Sequence, residues 1–480
     1  MDGTKRHLIA GDWVGTGASH PNINPSDVSD IVGNYDQGGL GEAEGAIQAA
    51  VDAFPEWSCS TPEQRHDALK FVGDELLARK TELGTLLSRE EGKILSEGQA
   101  EVHRAAHIFD FFAGEALRPG GELLPSVRAG IDVAVTREPI GPVGLITPWN
   151  YPMAIPAWKI APARSHGNTA AFKPAELVPG SAWALADIIR RSPLPKGVFN
   201  MVMGPGRVAG QALLEAPQIR GVSFTGSQET GRRVAEASVS HMRRIQLEMG
   251  GKNPLVILDD ADLDLAVDVA VNGAYFSTGQ RCTASSRLIV TEGIHNRFVE
   301  RLTDRIRSLR VGSALDPASE IGPVVDQVQL DQDLDYIAVG RAEGGNLRVG
   351  GEKVRAQTEG FYLSPALFTD THPDMRINRE EIFGPIATVI RVRDYDEALE
   401  IANGTEFGLS AGICTTSLKY AHDFRRKAQA GMVMVNLPTA GVDYHVPFGG
   451  MKASSFGQRE QGSYAREFFT TVKTGYLYAR

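Results

Sequence analysis

The sequence predicts an α/β protein with two doubly wound, Rossmann-type regions of parallel strands and a small β arm. Runs rich in β-forming residues alternate with helical segments from residue 143 to about 250, and a second alternation extends from about 255 to 446. Such alternation is typical of a parallel sheet with helices on both faces. Residues 119–139 and 465–480 combine turn residues with β-branched and aromatic residues, which favours strands.

The elements follow from local patterns along the chain. Residues 1–40 predict short strands and turns, and apolar residues three and four positions apart then predict helices over 42–54, 61–79, 80–90 and 96–117. In the two α/β regions, strands are predicted at 143–146, 169–173, 198–202, 221–224, 244–247, 287–291, 387–392 and 432–436. The arm is predicted to contain strands at 132–138 and 468–477.

Composition restricts the classes of partner. The formal net charge of −10 argues against nucleic acid or an anionic membrane as the main partner, because both attract basic surfaces. No signal peptide and no apolar run of about 18 residues is visible, so we expect no membrane association. The three cysteines form no C-x-x-C pair, which predicts a cytoplasmic protein without a zinc site.

One cysteine, Cys282, stands among small and polar residues in the segment 276–287, directly after Arg281. A thiol attacks as its thiolate, and a nearby cation lowers the thiol pKa. The sequence therefore indicates a reactive thiol, although a single cysteine is also commonly a small buried apolar residue. The other two cysteines, Cys59 and Cys414, are predicted to be structural.

A lone acid, Glu248, lies in an apolar run that ends in two glycines, where burial would raise the carboxyl pKa and make it a better base. Upstream lie Asn150, within Pro148-Trp149-Asn150-Tyr151-Pro152, and Lys173, within Phe172-Lys173-Pro174-Ala175-Glu176. With Cys282, their order and spacing resemble the aldehyde dehydrogenase superfamily. The resemblance extends from about residue 8 to the last strand and includes Phe224-Thr225-Gly226-Ser227, Glu381-Ile382-Phe383-Gly384-Pro385 and Pro447-Phe448-Gly449-Gly450.

The resemblance implies the oxidation of an aldehyde to a carboxylic acid. Cys282 would attack the aldehyde to form a thiohemiacetal, and the side-chain amide of Asn150 with the backbone N–H of Cys282 would bind the oxyanion. Loss of hydride would leave a thioester, which Glu248 would hydrolyse by activating water. No metal is implied.

The cofactor site is not marked by a G-x-G-x-x-G motif. The turn within 224–231 instead has a strand–turn–helix pattern whose N–H groups suit a pyrophosphate, with an ordinary βα turn as the alternative. The resemblance implies that Lys173 and Glu176 hold the adenosine ribose and that Glu381 holds the nicotinamide ribose. Because a carboxylate repels a 2′-phosphate, Glu176 favours NAD, with NADP possible. The predicted cofactor residues are Ile146, Thr147, Pro148, Trp149, Lys173, Ala175, Glu176, Gly206, Phe224, Thr225, Gly226, Ser227, Leu247, Gly250, Glu381 and Phe383.

The positions that match the family's substrate pocket are mostly apolar but include two arginines. A cation that faces a pocket is costly to desolvate unless an anion pairs with it, so the arginines indicate an aldehyde that carries a carboxylate. An exposed helix arginine is the alternative for Arg104, and a structural ion pair is the alternative for Arg281. The predicted substrate residues are Arg104, Tyr151, Trp158, Phe276, Arg281, Thr283 and Phe448.

The segment 436–462 is similar to bacterial family members that oxidise α-ketoglutaric semialdehyde (2,5-dioxopentanoate) in sugar-acid catabolism. Succinate semialdehyde, glutarate semialdehyde and betaine aldehyde are alternative substrates, although betaine aldehyde would favour an aromatic cage with acids. A cofactor-independent cysteine hydrolase is an alternative class, and the presence of Lys173 and Glu176 argues against it. A catalytically silent relative would lack Cys282 or Glu248.

The resemblance also implies the domain organisation. Residues 1–118 and 140–250 would form the NAD-binding domain, and 251–464 the catalytic domain. Residues 119–139 and 465–480 would form an oligomerisation arm, which predicts a homodimer or a homotetramer.

Overall fold

The computed structural model describes residues 3–118 and 120–478, so Met1 and Asp2 of the predicted NAD-binding domain and Pro119, Ala479 and Arg480 of the predicted arm lie outside the described residues. The strands are β1 (His7–Ile9), β2 (Asp12–Val14), β3 (Ser19–Asn24), β4 (Asp27–Asp36), β5 (Glu122–Pro125), β6 (Ile131–Pro139), β7 (Val143–Ile146), β8 (Ala170–Lys173), β9 (Phe199–Met201), β10 (Gly221–Thr225), β11 (Arg244–Glu248), β12 (Pro254–Ile257), β13 (Arg287–Thr291), β14 (Asn346–Val349), β15 (Ala366–Thr369), β16 (Ile386–Val392), β17 (Ser410–Cys414), β18 (Met432–Val435), β19 (Ser455–Gly457) and β20 (Thr470–Tyr478).

The helices surround these strands. They are α1 (Leu40–Ser58), α2 (Pro62–Ala78), α3 (Lys80–Glu91), α4 (Leu95–Ala116), α5 (Ala154–Ser165), α6 (Pro179–Arg191), α7 (Gln211–Glu215), α8 (Gln228–Ser240), α9 (Leu263–Tyr275), α10 (Glu292–Ser308), α11 (Gln327–Ala342), α12 (Arg376–Arg379), α13 (Tyr395–Asn403), α14 (Leu418–Lys427) and α15 (Arg466–Phe469). A π-helical turn covers Gly206–Gly210, and short 3₁₀ turns cover Phe276–Gly279, Lys452–Ser454 and Ser463–Ala465.

The first sheet has the strand order β19-β11-β10-β7-β8-β9-β1-β2. Its centre, from β11 to β9, is parallel, whereas β19, β1 and β2 pair antiparallel at the two sides. The strand β19 comes from the region that the sequence assigned to the second domain, so one strand departs from the predicted domain boundaries. Its three residues pair with the end of β11 through Gln246, Leu247 and Glu248.

The second sheet has the order β14-β15-β16-β13-β12-β17-β18 and is parallel except for the β14–β15 pair. Its central strands are buried along their whole length, as in β13 and β17. This burial explains their near-continuous apolar sequences, because helices cover both faces of a parallel sheet. The predicted α/β fold is confirmed.

The arm is a separate antiparallel sheet in the order β20-β6-β5. The pairing of β20 with β6 extends from Thr470 opposite Pro139 to Tyr478 opposite Ile131. Most of β20 is exposed, including Val472, Tyr476 and Leu477.

Side-chain caps explain where several helices begin. Thr61 accepts a hydrogen bond from the N–H of Gln64 at the start of α2, where Pro62 takes the first helical position. Ser227 caps α8 in the same way through the N–H of Thr230, and Asp262 caps α9. The cap of α8 fixes the turn between β10 and that helix, which borders the site described below.

Two observations concern the wider molecule. No helix within 3–118 or 120–478 is long and apolar enough to cross a membrane. Cys414 is buried in β17, whereas Cys59 is exposed. Its position just beyond the end of α1 leaves the thiol in contact with solvent rather than in the apolar interior.

Candidate active site

A cavity of about 310 Å³ opens between the two sheets. It is lined by Pro148, Trp149, Asn150, Ile155, Thr225, Gly226, Ser227, Met249, Gly250, Cys282, Gln329, Gln332, Glu381 and Phe383. Two predicted catalytic residues, Asn150 and Cys282, therefore share one cavity with several predicted cofactor residues. Glu248 ends β11 directly before the lining residues Met249 and Gly250.

A strained turn presents Cys282 to this cavity. Ser277 and Thr278 have left-handed φ values of 52° and 55°, and Gly279 follows with a φ of 68°. A Cβ atom at Gly279 would collide with the carbonyl group of Gly384, so the close approach of these two loops requires glycine. Beyond the turn, the carbonyl oxygen of Cys282 accepts a hydrogen bond of 2.8 Å from Asn253.

The electrostatic setting of the thiol differs from the expectation. Burial raises the pKa of Cys282, and the carboxyl groups of Glu381 and Glu248 raise it further, while the backbone N–H of Cys282 itself opposes them. The prediction that Arg281 lowers the pKa of the Cys282 thiol was wrong. The guanidinium of Arg281 instead donates to the carbonyl oxygens of Asn272 and Gly273 at the end of α9.

Asn150 is buried and is held at two points. Its side-chain nitrogen Nδ2 donates to the carbonyl oxygen of Gln280 over 3.0 Å, two residues before Cys282. The backbone carbonyl oxygen of Asn150 accepts a hydrogen bond of 2.8 Å from the Nζ of Lys93. Because an amide nitrogen carries two hydrogens, the second remains to donate to an oxygen atom near the sulfur.

Glu248 is buried beside a second, paired carboxylate. Ser455 Oγ donates a hydrogen bond of 2.5 Å to Glu248 Oε2. Burial, and then the negative charge of Glu460, raise the pKa of Glu248 well above its usual value, whereas Ser455, Lys159 and Arg459 oppose the rise. A carboxyl group with a raised pKa is a stronger base once it is ionised.

The region predicted to hold the adenosine ribose lies at the carboxyl end of β8. Lys173 Nζ is 3.6 Å from Glu176 Oε1, and the same oxygen accepts a hydrogen bond of 2.5 Å from the backbone N–H of Gly206. Burial lowers the pKa of Lys173, while Glu176 acts in the opposite direction. The nearest atoms to a Cβ built at Gly206 are these same two side chains, both 3.6 Å away.

The opposite end of the cofactor region lies beside the thiol. Glu381 Oε1 accepts a hydrogen bond of 2.8 Å from the N–H of Gly251, and burial raises the pKa of Glu381 to about 7. A Cβ at Gly250 would collide with that carboxyl group, so the glycine makes room for it. The rings of Phe383 and Trp149 meet edge to face, with centroids 5.4 Å apart.

The residues present fit a dinucleotide between these two ends. Among the described residues, the buried Oγ1 of Thr225 and Nε2 of Gln228 have no hydrogen-bond partner, and both flank the start of α8. The first-turn N–H groups of this helix and the positive end of its dipole suit an anion. A carboxylate at each end and a helix terminus that suits an anion between them fit the two ribose groups and the pyrophosphate of NAD.

The predicted substrate residues divide into two groups. Trp158 and Phe448 stack with ring centroids 5.4 Å apart, and the guanidinium of Arg104 lies 5.9 Å from the Trp158 ring. Phe448 packs in a cluster that includes Cys282 and Val442. Arg104 donates to the carbonyl oxygen of Val442 and, over 2.9 Å, to Gln461 Oε1.

The remaining predicted substrate residues contact neighbouring side chains and the core of the second sheet. The Nζ of Lys93 is 3.8 Å from the ring centroid of Tyr151, and the carbonyl oxygen of Thr283 accepts a bond of 2.7 Å from Thr439. Phe276 packs against the core of the second sheet. A structural ion pair is the alternative for Arg281, whereas its guanidinium donates to the carbonyl oxygens of Asn272 and Gly273 near the end of α9; its substrate role stays a prediction.

Several residues of the site were missed in the sequence. Met249, Gln329 and Gln332 line the cavity, and Ser455 contacts the proposed base. The buried pairs Lys93–Glu101 and Lys159–Glu460 lie behind the catalytic residues. Charged residues usually indicate a solvated surface, and no local spacing in the sequence marks these four as buried.

Comparison with known proteins identifies the family. The model of the aldehyde dehydrogenase family matches residues 13–475. An alpha-ketoglutaric semialdehyde dehydrogenase of Bacillus subtilis is 41% identical over 99% of this chain and 98% of its own length. An alpha-ketoglutarate semialdehyde dehydrogenase of Haloferax volcanii is 41% identical over 99% of both chains.

A solved structure supports the same assignment. The betaine aldehyde dehydrogenase of Staphylococcus aureus, determined in complex with NAD⁺, superposes with a TM-score of 0.96 at 33% identity, covering 99% of this chain and 95% of the other. This chain belongs to the aldehyde dehydrogenase family. It is an oxidoreductase that converts an aldehyde to a carboxylic acid with a nicotinamide dinucleotide.

Proposed function

We propose that this protein oxidises α-ketoglutaric semialdehyde to 2-oxoglutarate, with NAD as the preferred cofactor. The observation that carries the proposal is the half-buried guanidinium of Arg104 beside the Trp158–Phe448 stack, which packs next to Cys282. A positive charge beside an aromatic stack that packs next to the thiol suits an aldehyde with a carboxylate at its far end. The names of the relatives from Bacillus subtilis and Haloferax volcanii support the same substrate.

The chemical role proposed for each residue follows from its surroundings. The sulfur of Cys282 attacks the aldehyde carbon, and Nδ2 of Asn150 donates to the oxygen that becomes negative. The bound dinucleotide accepts the hydride. Glu248 then takes a proton from the water that hydrolyses the thioester, which returns Cys282 and releases the acid.

The surroundings of the thiol disfavour the thiolate in the resting protein. Burial and two carboxyl groups raise the pKa of Cys282, so little thiolate exists at neutral pH. The positive charge of an oxidised nicotinamide ring in the cavity would act in the opposite direction and favour the thiolate.

The preference for NAD is proposed to depend on Glu176. Its carboxylate lies beside Lys173 and the N–H of Gly206. There it would accept hydrogen bonds from the two ribose hydroxyls of NAD and would repel the 2′-phosphate of NADP. The closing experiment measures kcat/KM with NAD and with NADP for α-ketoglutaric, succinate and glutarate semialdehydes and for betaine aldehyde. Highest kcat/KM for the five-carbon keto acid with NAD supports the proposal, and a preference for betaine aldehyde contradicts it.

We also propose a homodimer or homotetramer assembled through the arm. Leu123 of β5 is 86% exposed, and Val472, Tyr476 and Leu477 of β20 are each more than half exposed. An apolar surface of this kind on an edge sheet favours association with a second copy. Light scattering after gel filtration should give two or four times 51.8 kDa. A cytoplasmic location stays a prediction.

A further inference from the structure

Behind the cavity, a buried ion pair connects α4 to the turn that carries Asn150. Lys93 Nζ and Glu101 Oε2 are 2.7 Å apart, and both side chains are 1% exposed. Burial alone would lower the pKa of Lys93, but the carboxyl groups of Glu101 and Glu91 outweigh it and raise that pKa. The raised pKa keeps the lysine charged at neutral pH.

The ion pair holds the turn at both ends. At its beginning, Lys93 donates a hydrogen bond of 2.8 Å to the carbonyl oxygen of Asn150. At its end, Glu101 Oε1 accepts bonds of 2.9 Å from the N–H of Met153 and 3.1 Å from the N–H of Ala154, where α5 begins. Between these anchors, Lys93 lies 3.8 Å from the ring centroid of Tyr151.

We propose that the Lys93–Glu101 pair positions the side-chain amide of Asn150 toward the oxyanion that forms at Cys282. Neither residue of the pair lines the cavity, so both are positioning residues that act through the turn. The proposal rests on the proposed function, in which Asn150 binds the oxyanion. It assigns a chemical reason for burying two charges, which is costly unless their geometry is fixed.

The physical argument concerns directional precision. Asn150 Nδ2 already donates one hydrogen to Gln280, so a small rotation of the turn changes the direction of the second hydrogen. Hydrogen bonds weaken steeply as their angle departs from linear. A fixed donor also needs no rearrangement when the negative charge develops, which is the main advantage of a preorganised site.

The test separates steps that form an oxyanion from one that does not. Hydrolysis of p-nitrophenyl acetate by Cys282 passes through a tetrahedral oxyanion, whereas alkylation of the same thiol by iodoacetamide does not. Since a misplacement of about 1 Å can cost about 100-fold in rate, we expect Lys93→Met to slow ester hydrolysis about tenfold or more. The rate of alkylation should change less than about twofold, because no oxyanion forms in that step.

A matched control distinguishes positioning from general destabilisation. Glu90 is also a buried glutamate that accepts two backbone N–H bonds at the start of a helix, from Gly180 and Ser181 of α6. Glu90→Gln should lower the melting temperature but keep the ester hydrolysis rate. Equal losses of rate in Glu90→Gln and Lys93→Met, or a parallel loss of alkylation, would overturn the proposal.

Two further variants keep the result decisive. If Lys93→Met does not fold, the double variant Lys93→Met/Glu101→Gln removes both charges of the pair, so that neither is left without the other. It should show the same selective loss of ester hydrolysis, and full activity would refute the positioning role. Asn150→Ala tests the proposed function itself. If this variant retains full ester hydrolysis, Asn150 does not bind the oxyanion and the proposed function is contradicted. If Asn150→Ala loses ester hydrolysis but the Lys93 variants do not, only the positioning role of the ion pair is refuted.

Discussion

Ser455 Oγ donates a hydrogen bond of 2.5 Å to Glu248 Oε2, across the pairing of β19 with β11. The bond stabilises the ionised carboxylate and so opposes the rise in pKa that burial and Glu460 cause. The serine therefore sets how much of the proposed base is ionised near neutral pH.

Replacing Ser455 should move the pH profile. A base acts in its ionised form, so deacylation falls as the pH drops through the pKa of Glu248. Removing the hydrogen bond in Ser455→Ala raises that pKa further and moves the acidic limb of kcat upward by roughly one to two pH units. The measurement is kcat against pH under conditions where thioester hydrolysis limits the rate, and an unshifted limb would contradict the role of Ser455.

Glu248→Gln should separate hydride transfer from hydrolysis. The amide cannot take a proton from water, so we expect one burst of NADH per active site followed by a stall as the thioester. Stopped-flow absorbance measures the burst, and mass spectrometry of the intact protein detects the acyl group. A normal steady-state rate in this variant would show that another group is the base.

Cys282→Ala should abolish aldehyde oxidation because no other described thiol lines the cavity. NAD binding, measured by calorimetry, should be retained. The control is Cys59→Ala, which removes an exposed thiol and should leave activity unchanged. Loss of activity in the control with retention in Cys282→Ala would reverse the assignment.

Glu176→Gln should weaken the discrimination against NADP. The substitution keeps an oxygen that can accept from the N–H of Gly206 but removes the charge that repels a 2′-phosphate. Loss of one charged contact of this kind changes a preference about tenfold or more. The ratio of kcat/KM for NAD over NADP measures the effect, and a ratio equal to that of the native protein would exclude Glu176 as its source.

Arg104→Met should act on charged substrates alone. A charge-assisted hydrogen bond contributes about 1.5–3 kcal/mol, so KM for α-ketoglutaric semialdehyde should rise about tenfold or more. A neutral aldehyde of similar length should be nearly unaffected. The comparison variant is Arg281→Met, which removes a cap on α9 and should lower the melting temperature without discriminating between the two aldehydes.

The strands of the two sheets were predictable because they are short apolar runs between turn residues. The predicted strand at 287–291 coincides with β13, and the one at 143–146 coincides with β7. The strand β19 was not predictable, since three residues, Ser455–Gly457, carry no periodicity and pair only because the chain returns to the first sheet. The strand β19 is so far from β11 along the sequence that no local pattern can predict their pairing.

The proposed catalytic residues were visible through their motifs, whereas the residues that support them were not. Lys93 lies between two predicted helices and Glu101 lies in the second, where both look like solvated charges, and only three-dimensional contact shows that they pair. Arg281 shows the converse, because adjacency to Cys282 in the sequence does not fix the direction of a side chain. Its guanidinium donates instead to the carbonyl oxygens of Asn272 and Gly273 near the end of α9.

The pairing of β19 with β11 ties the second half of the chain to the edge of the first sheet. Ser455 lies in this ladder and donates to Glu248, so a movement that separated β19 from β11 would also remove the hydrogen-bond donor from the proposed base.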